Sequence, residues 1–151
     1  MAAEKPPKTE RSLALSVLAR ARSEELDAVW EAMDARPDFE ILRAPEIGLV
    51  MARGRIGGGG APFNLGEVTV TRATVRLGSG EVGIGHVMGR DTRRALLVAQ
   101  LDALWQSPDH RGRVETAVVS PVSQRLARED AETRSKVAAT RVNFFTMVRG
   151  E

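Results

Sequence analysis

The sequence predicts an α+β fold around a mostly antiparallel sheet. Three observations carry that prediction. Val68-Thr-Val-Thr-Arg-Ala-Thr-Val-Arg-Leu77 alternates and is rich in β-branched residues. Gly78-Ser79-Gly80 is a turn signal, and Val82-Gly-Ile-Gly-His-Val-Met88 supplies the return strand of a hairpin. Apolar residues at helical spacing precede and follow this region without alternating with strands, so the order is a meander and not a βαβ array.

The elements follow in chain order. Residues 1–9, with Pro6-Pro7 and no periodicity, form a disordered lead-in to a single domain over 10–151. Thr9 or Ser12 opens a first helix carrying Ala14, Val17, Leu18 and Ala21. Ser23 reads as the N-cap of a second, with Glu24 and Glu25 suiting the positive end of the helix dipole. Leu26, Val29, Trp30 and Met33 recur at i, i+3, i+4 and i+7, so this helix is amphipathic and stops before Pro37. The two make an N-terminal helical hairpin. Phe39–Arg43 and Ile47–Arg53 read as two strands separated by Ala44-Pro45-Glu46, and a Gly-rich loop from Gly57 to Gly60 precedes the strand beginning at Val68. Asp91 caps a long amphipathic helix with Leu97, Leu101, Leu104 and Trp105 on one stripe and Pro108 beyond its end. Val114–Val119 reads as a short strand, and Ser120-Pro121 as the start of a C-terminal helix to about Ala139. That helix has a weak apolar stripe and a charged centre, so most of its circumference faces solvent.

Thr140-Arg-Val-Asn-Phe-Phe-Thr-Met-Val-Arg-Gly-Glu151 is unusual for a chain end, which is ordinarily polar. It carries two of the four Phe. Read as a final strand, Val142, Phe144 and Val148 face one way, Phe145 and Met147 the other. Both faces need covering, by a core or by a partner protein. Arg141, Phe144, Phe145, Met147 and Arg149 are therefore the expected subunit interface.

At 151 residues the chain is long enough for a real core. There is no Cys, which excludes disulfides, iron–sulfur clusters and thiolate zinc sites, and two His exclude a His-rich metal site. No apolar run approaches the ~18 residues of a membrane span, and the start lacks the core of a signal peptide. A cytoplasmic location is the expectation. Lys occurs only at positions 5, 8 and 136, so 19 of the 22 basic residues are Arg. Two readings of that skew stay open: genomic base composition, or recognition of anions and interface carboxylates by the planar guanidinium. With 20 acidic residues interspersed and a net charge of +2, nucleic-acid binding is not indicated.

The glycines at 57–60 invite a phosphate-cradle reading. A Walker loop needs Lys then Ser or Thr after its glycines, whereas Ala61-Pro62-Phe63-Asn64 follow, so that motif is excluded. A flexible loop, a partner-contacting loop and a ligand loop remain, in that order. Gly83 and Gly85 sit inside a strand pattern and mark bulges or close backbone approach, not a dinucleotide fingerprint. Arg55, Gly57, Gly58, Gly59, Gly60, Arg72 and Arg90 are the candidate phosphate or partner contacts. Arg72 and Arg76 share one strand face, for which a salt-bridged solvated surface is the better reading. Arg90 precedes a helix N-terminus, a place that favours anions. His86 reads as a satisfied or half-buried histidine, and His110 as loop. No spacing marks an acid–base pair or a nucleophile elbow. No catalytic residue is assigned, and no cofactor or metal is expected on this chain.

From Arg53 onward the sequence resembles the PhnG family, a small subunit of the bacterial carbon–phosphorus lyase core complex. The likeness rests on Arg55-Ile-Gly-Gly-Gly-Gly60 with Phe63 and Gly66-Glu67; on Thr69-Val-Thr-Arg72 through Val75-Arg-Leu77; on Gly89-Arg90-Asp91 leading to Asp102-Ala-Leu104; and on the block from Thr140 to Gly150. Phe39-Glu-Ile-Leu-Arg-Ala-Pro-Glu-Ile-Gly-Leu-Val50 also fits, so the likeness spans roughly residues 12–150. Asn143 stands where the family often carries Asp. The resemblance implies a multisubunit machine for phosphonate catabolism, in which PhnG acts with PhnH, PhnI and PhnL to displace adenine from ATP with a phosphonate such as methylphosphonate. The product is a ribose 1-phosphonate 5-triphosphate. It further implies that nucleoside chemistry belongs to PhnI and the radical step to PhnJ. Structural attachment or substrate gating is then this chain's expected part; a direct substrate-binding role for the Arg and Gly residues is the alternative.

Overall fold

The computed structural model describes residues 9–56 and 59–140. The N-terminal pair is α1 (Glu10–Leu18) and α2 (Ser23–Glu31). Three strands follow, β1 (Phe39–Arg55), β2 (Pro62–Leu77) and β3 (Val82–Met88), then α3 (Thr92–Gln106). The chain closes with α4 (Pro108–Val114), a π-helical turn (Glu115–Val119) and α5 (Ser120–Ala139). The sheet order is β1-β2-β3, antiparallel throughout, so the expected α+β meander is what the chain forms. The expected final strand and the interface residues Arg141, Phe144, Phe145, Met147 and Arg149 lie outside the described residues.

Local chemistry sets the helix ends. Thr9 caps α1, its side chain accepting from the Ser12 N–H at 3.2 Å. Asp91 caps α3 through the Arg94 N–H at 2.9 Å. Ser23 is not the N-cap of α2. Arg22 occupies that place, and the Glu25 carboxylate reaches back to its N–H at 2.8 Å. The Ser23 hydroxyl instead donates to Asp91 at 2.9 Å, tying the start of α2 to the start of α3.

Three other expectations are corrected. Ala44-Pro45-Glu46 does not separate two strands. β1 runs through it, with register shifts between Ile41 and Arg43 and between Arg43 and Glu46. β1 is an edge strand, where a bulge tolerates a proline that has no N–H to give. Val114–Val119 is not a strand but the π-helical join in a run of helix from Pro108 to Ala139, and His110 sits on α4, not in a loop. In a regular α-helix the Pro121 ring would meet the carbonyl of residue 117. Here the Ser120 N–H bonds five residues back, to Glu115, and the widened turn passes the proline without breaking the rod.

The core lies between one face of the sheet and α3, closed by α1, α2 and the start of α5. Ala73, Val75, Val98, Leu101 and Leu104 are all 0% exposed. Glycine makes the contact close. A Cβ on Gly83 would lie 1.9 Å from the Ala99 carbonyl oxygen, and one on Gly85 1.8 Å from that of Ala95. β3 therefore rests backbone to backbone on the Ala95, Ala99 and Ala103 stripe of α3, the close approach expected of these glycines.

Asp102, 1% exposed, holds a second junction. Its carboxylate takes Arg11 at 2.7 and 3.2 Å and the Ile84 N–H at 2.9 Å. Arg11 and Gln106 also donate to the Val82 carbonyl, at 3.0 and 2.8 Å. Side chains thus satisfy the outer edge of β3 where a fourth strand would otherwise pair. The carboxylate raises the affinity of the Arg11 guanidinium for its proton by accepting its hydrogen bonds.

Candidate functional site

The sheet has two unlike ends. From Val70 to Arg76, β2 has β1 on one side and β3 on the other. From Pro62 to Val68 it is paired with β1 alone, Thr69 still accepting from the Gly89 N–H at 2.9 Å, so β1 and β2 project past the body as a two-stranded ribbon. Strand alternation puts Ile47, Leu49 and Met51 on the same face as buried Thr71, but α3 does not reach them. They are 49%, 61% and 50% exposed, and Leu65 beside them is 64% exposed. On the other face Val50 and Met88 are also exposed. Apolar groups on both sides of a projecting ribbon mark a surface built to be covered.

Sequence reading missed this ribbon because β2 begins at Pro62, not Val68. The sequence reading assigns Phe63–Glu67 to no element, between a Gly-rich loop at Gly57–Gly60 and a strand from Val68. In the structure β1 and β2 run to 17 and 16 residues and β3 to 7, so two strands outlast the third.

The predicted contacts are dispersed along the sheet. Arg55 lies at the ribbon tip opposite Pro62, its guanidinium 3.4 Å from the Gly60 carbonyl. Gly59 and Gly60 turn the chain there, the Gly60 N–H bonding to the Ile56 carbonyl at 3.0 Å, while Gly57 and Gly58 lie outside the described residues. Arg72 is ten positions along β2 from Pro62, about 30 Å at strand spacing, so Arg55 and Arg72 cannot grip one phosphate chain. Arg90 is exposed in the bend between β3 and α3.

Arg72 and Arg76 do share the open face, and each is paired across to β1: Arg72 to Glu46 at 2.6 Å, Arg76 to Glu40 at 3.1 Å. Arg43 also takes Glu46, at 3.0 Å. The Arg72 hydrogen bond, with both guanidinium charges, holds Glu46 below the usual carboxylate range. This is the solvated, salt-bridged face the sequence suggested. His86 stands opposite Arg72 on β3 and is exposed, not half-buried.

Behind that edge, Arg20, Arg22, Arg94 and Arg125 line a cleft with His86, Met88 and Glu129. Arg22, Arg94 and Arg125 are engaged within the chain, while Arg20 stands 3.8 Å from Asp130. Arg125 takes Glu25 through two nitrogens, at 2.7 and 2.9 Å, and Glu129 at 3.0 Å. Arg22 takes Glu129 at 2.7 Å, and Arg94 caps the carbonyls of Ala19 and Ala21 at 2.6 and 2.9 Å. The Arg125 hydrogen bond is the main reason Glu25 ionises more readily than an ordinary glutamate. Asp91 is shifted the same way, chiefly by the Arg94 N–H. The network clamps α5 to the α1–α2 turn. Among the described residues no group of three or more His, Asp or Glu is placed to hold a metal ion, and no helix is long and apolar enough to cross a membrane.

Comparison with known proteins places the chain that carries this exposed apolar arm in a family. The family profile described as "Phosphonate metabolism protein PhnG" matches residues 9–150. The chain belongs to the PhnG family. A relative from Rhizobium meliloti (strain 1021), named alpha-D-ribose 1-methylphosphonate 5-triphosphate synthase subunit PhnG, is 55% identical over 142 residues, covering 94% of this chain and 90% of its own length. That relative is a subunit of a synthase, and phosphonate metabolism is the setting of the PhnG family. PhnG membership also gives the ribbon a context, because a subunit must present some surface to its companions.

Proposed function

We propose that this PhnG-family chain is an attachment subunit of the cytoplasmic carbon–phosphorus lyase machinery. With PhnH-, PhnI- and PhnL-type subunits it supports transfer of the ribose triphosphate moiety of ATP to a phosphonate such as methylphosphonate, with release of adenine; a PhnJ-type subunit acts downstream. The ribbon carries this reading: Ile47, Leu49, Met51 and Leu65 are large, apolar and uncovered, whereas most of the sheet and helix arginines are engaged with carboxylates or carbonyls of their own chain. The Gly-rich loop and the C-terminal block are the further contacts that this reading assigns to the PhnI-type subunit.

Co-purification tests it. Deleting residues 140–151 is expected to abolish recovery with the PhnI-type subunit while leaving the helical and sheet core folded. A stable, active complex assembled from the shortened chain would sink the reading. Under the substrate-binding alternative, Arg55→Ala, Arg72→Ala and Arg90→Ala would each lose adenine release in a complex that still assembles. The distance between Arg55 and Arg72 favours unchanged turnover.

A further inference from the structure

The cleft behind the β3 edge holds four guanidinium groups. Arg20 and Arg22 come from the α1–α2 turn, Arg94 from α3 and Arg125 from α5, around an opening of about 420 Å³. Among the described residues only two carboxylates, Glu25 and Glu129, accept hydrogen bonds from these four groups. Arg94 gives Nε and one terminal nitrogen to the carbonyls of Ala21 and Ala19, so its charge meets no bonded carboxylate. Asp91 accepts from the Arg94 backbone N–H and the Ser23 hydroxyl, not from the guanidinium. Arg20 stands 3.8 Å from Asp130, beyond hydrogen-bond length, and both side chains are half-exposed.

The carboxylate shared between two arginines is weakly held. Glu129 takes Arg22 at 2.7 Å and Arg125 at 3.0 Å, and its pair with Arg22 is open to water, where ion pairs are weak. It occupies a place that a stronger anion would take. The directions of the donors select among anions. A carboxylate accepts in one plane and fills one guanidinium fork, as Glu25 does on Arg125. Donors arriving from a turn and from a helix suit a tetrahedral group, whose oxygens point to several sides. Ala19 and Leu126 add apolar lining, which lowers the local dielectric and strengthens the attraction.

We propose that this cleft binds a phosphate-type oxyanion through Arg20, Arg22 and Arg94, with Glu129 displaced from Arg22. Arg125 stays on Glu25 and keeps α5 docked. The site is separate from Arg55, Arg72 and Arg90 of the substrate-binding alternative. It goes beyond the attachment reading and needs no companion subunit, so either can fail alone.

The test titrates inorganic phosphate and tripolyphosphate into the full-length chain, read by the NMR signals of backbone amides and arginine Nε–H groups. Saturable shifts at Arg20, Arg22 and Arg94 are expected, with a dissociation constant of about 1 mM or tighter for at least one probe. Tighter binding of tripolyphosphate would assign the cleft to a phosphate chain; equal or weaker binding would assign it to a single phosphate-type group. Arg20→Gln changes a half-exposed side chain and leaves the fold intact. It is expected to weaken binding about fivefold. Glu129→Gln removes the competing carboxylate and is expected to tighten binding about threefold. Arg76→Gln makes the same charge change as Arg20→Gln on the open face and is expected to alter nothing. Absence of saturation by either probe would overturn the proposal. So would unchanged affinity in Arg20→Gln, equal weakening by Arg76→Gln, or a Glu129→Gln chain that fails to bind more tightly.

Discussion

The two halves of β2 share a strand, a partner and a similar apolar content, yet they live in different environments. In Val70–Leu77, Ala73 and Val75 are fully buried; in Pro62–Thr69, Leu65 is 64% exposed and Phe63 41%. Composition does not separate them. What separates them is whether a third strand and a helix arrive to cover the strand. β3 and α3 are joined by glycine-to-alanine contact, and that unit stops at Met88. Burial in this sheet is decided by its neighbours, and the ribbon is the part of the core pattern for which the described chain supplies none.

The sharpest way to break the comparison is to separate β3 from α3. Gly85→Ala places a methyl 1.8 Å from a backbone oxygen that cannot rotate away. It is expected to cost about 3 kcal/mol or more, read as a lower denaturant midpoint, and to expose the buried half of β2 to amide exchange. A neutral result would mean the contact is looser than drawn. The next effect comes from Asp102→Ala, which strips a partner from the Ile84 N–H and from Arg11. A fully buried ion pair broken on one side costs about 3–5 kcal/mol. Arg11 is 36% exposed, so about 2–3 kcal/mol is expected here. The smallest effect belongs to the ribbon. Leu49→Glu should leave thermal stability of the isolated chain within about 0.5 kcal/mol while weakening recovery with companion subunits. A large loss of stability would show that the ribbon is covered within the chain.

Much of the fold was legible because local chemistry agreed with it: Thr9 and Asp91 cap, Gly78-Ser79-Gly80 turns, and the Leu97–Trp105 stripe is buried. The errors share a cause. Pro45 and Pro121 both read as breaks, and both sit inside continuous elements, one through register shifts on an edge strand and one through a π turn. A proline shows that a regular ladder is interrupted, not whether the chain absorbs the interruption. The charged open face was legible because Arg72 and Arg76 alternate in step. The ribbon was hidden because exposure of an apolar strand depends on where two other elements end.

The ion pairs that fix the N-terminal helices carry a consequence for the order in which the chain can be finished. Arg11 waits for Asp102, Glu25 for Arg125, and Arg22 for Glu129, separations of 91, 100 and 107 residues. During synthesis, α1 and α2 leave the ribosome first but have nothing to dock on until α3 and α5 have emerged. The earliest-made part of the molecule is thus among the last to be packed, and a nascent chain stalled before residue 102 would expose Leu18 and Leu26 to whatever chaperone is nearest.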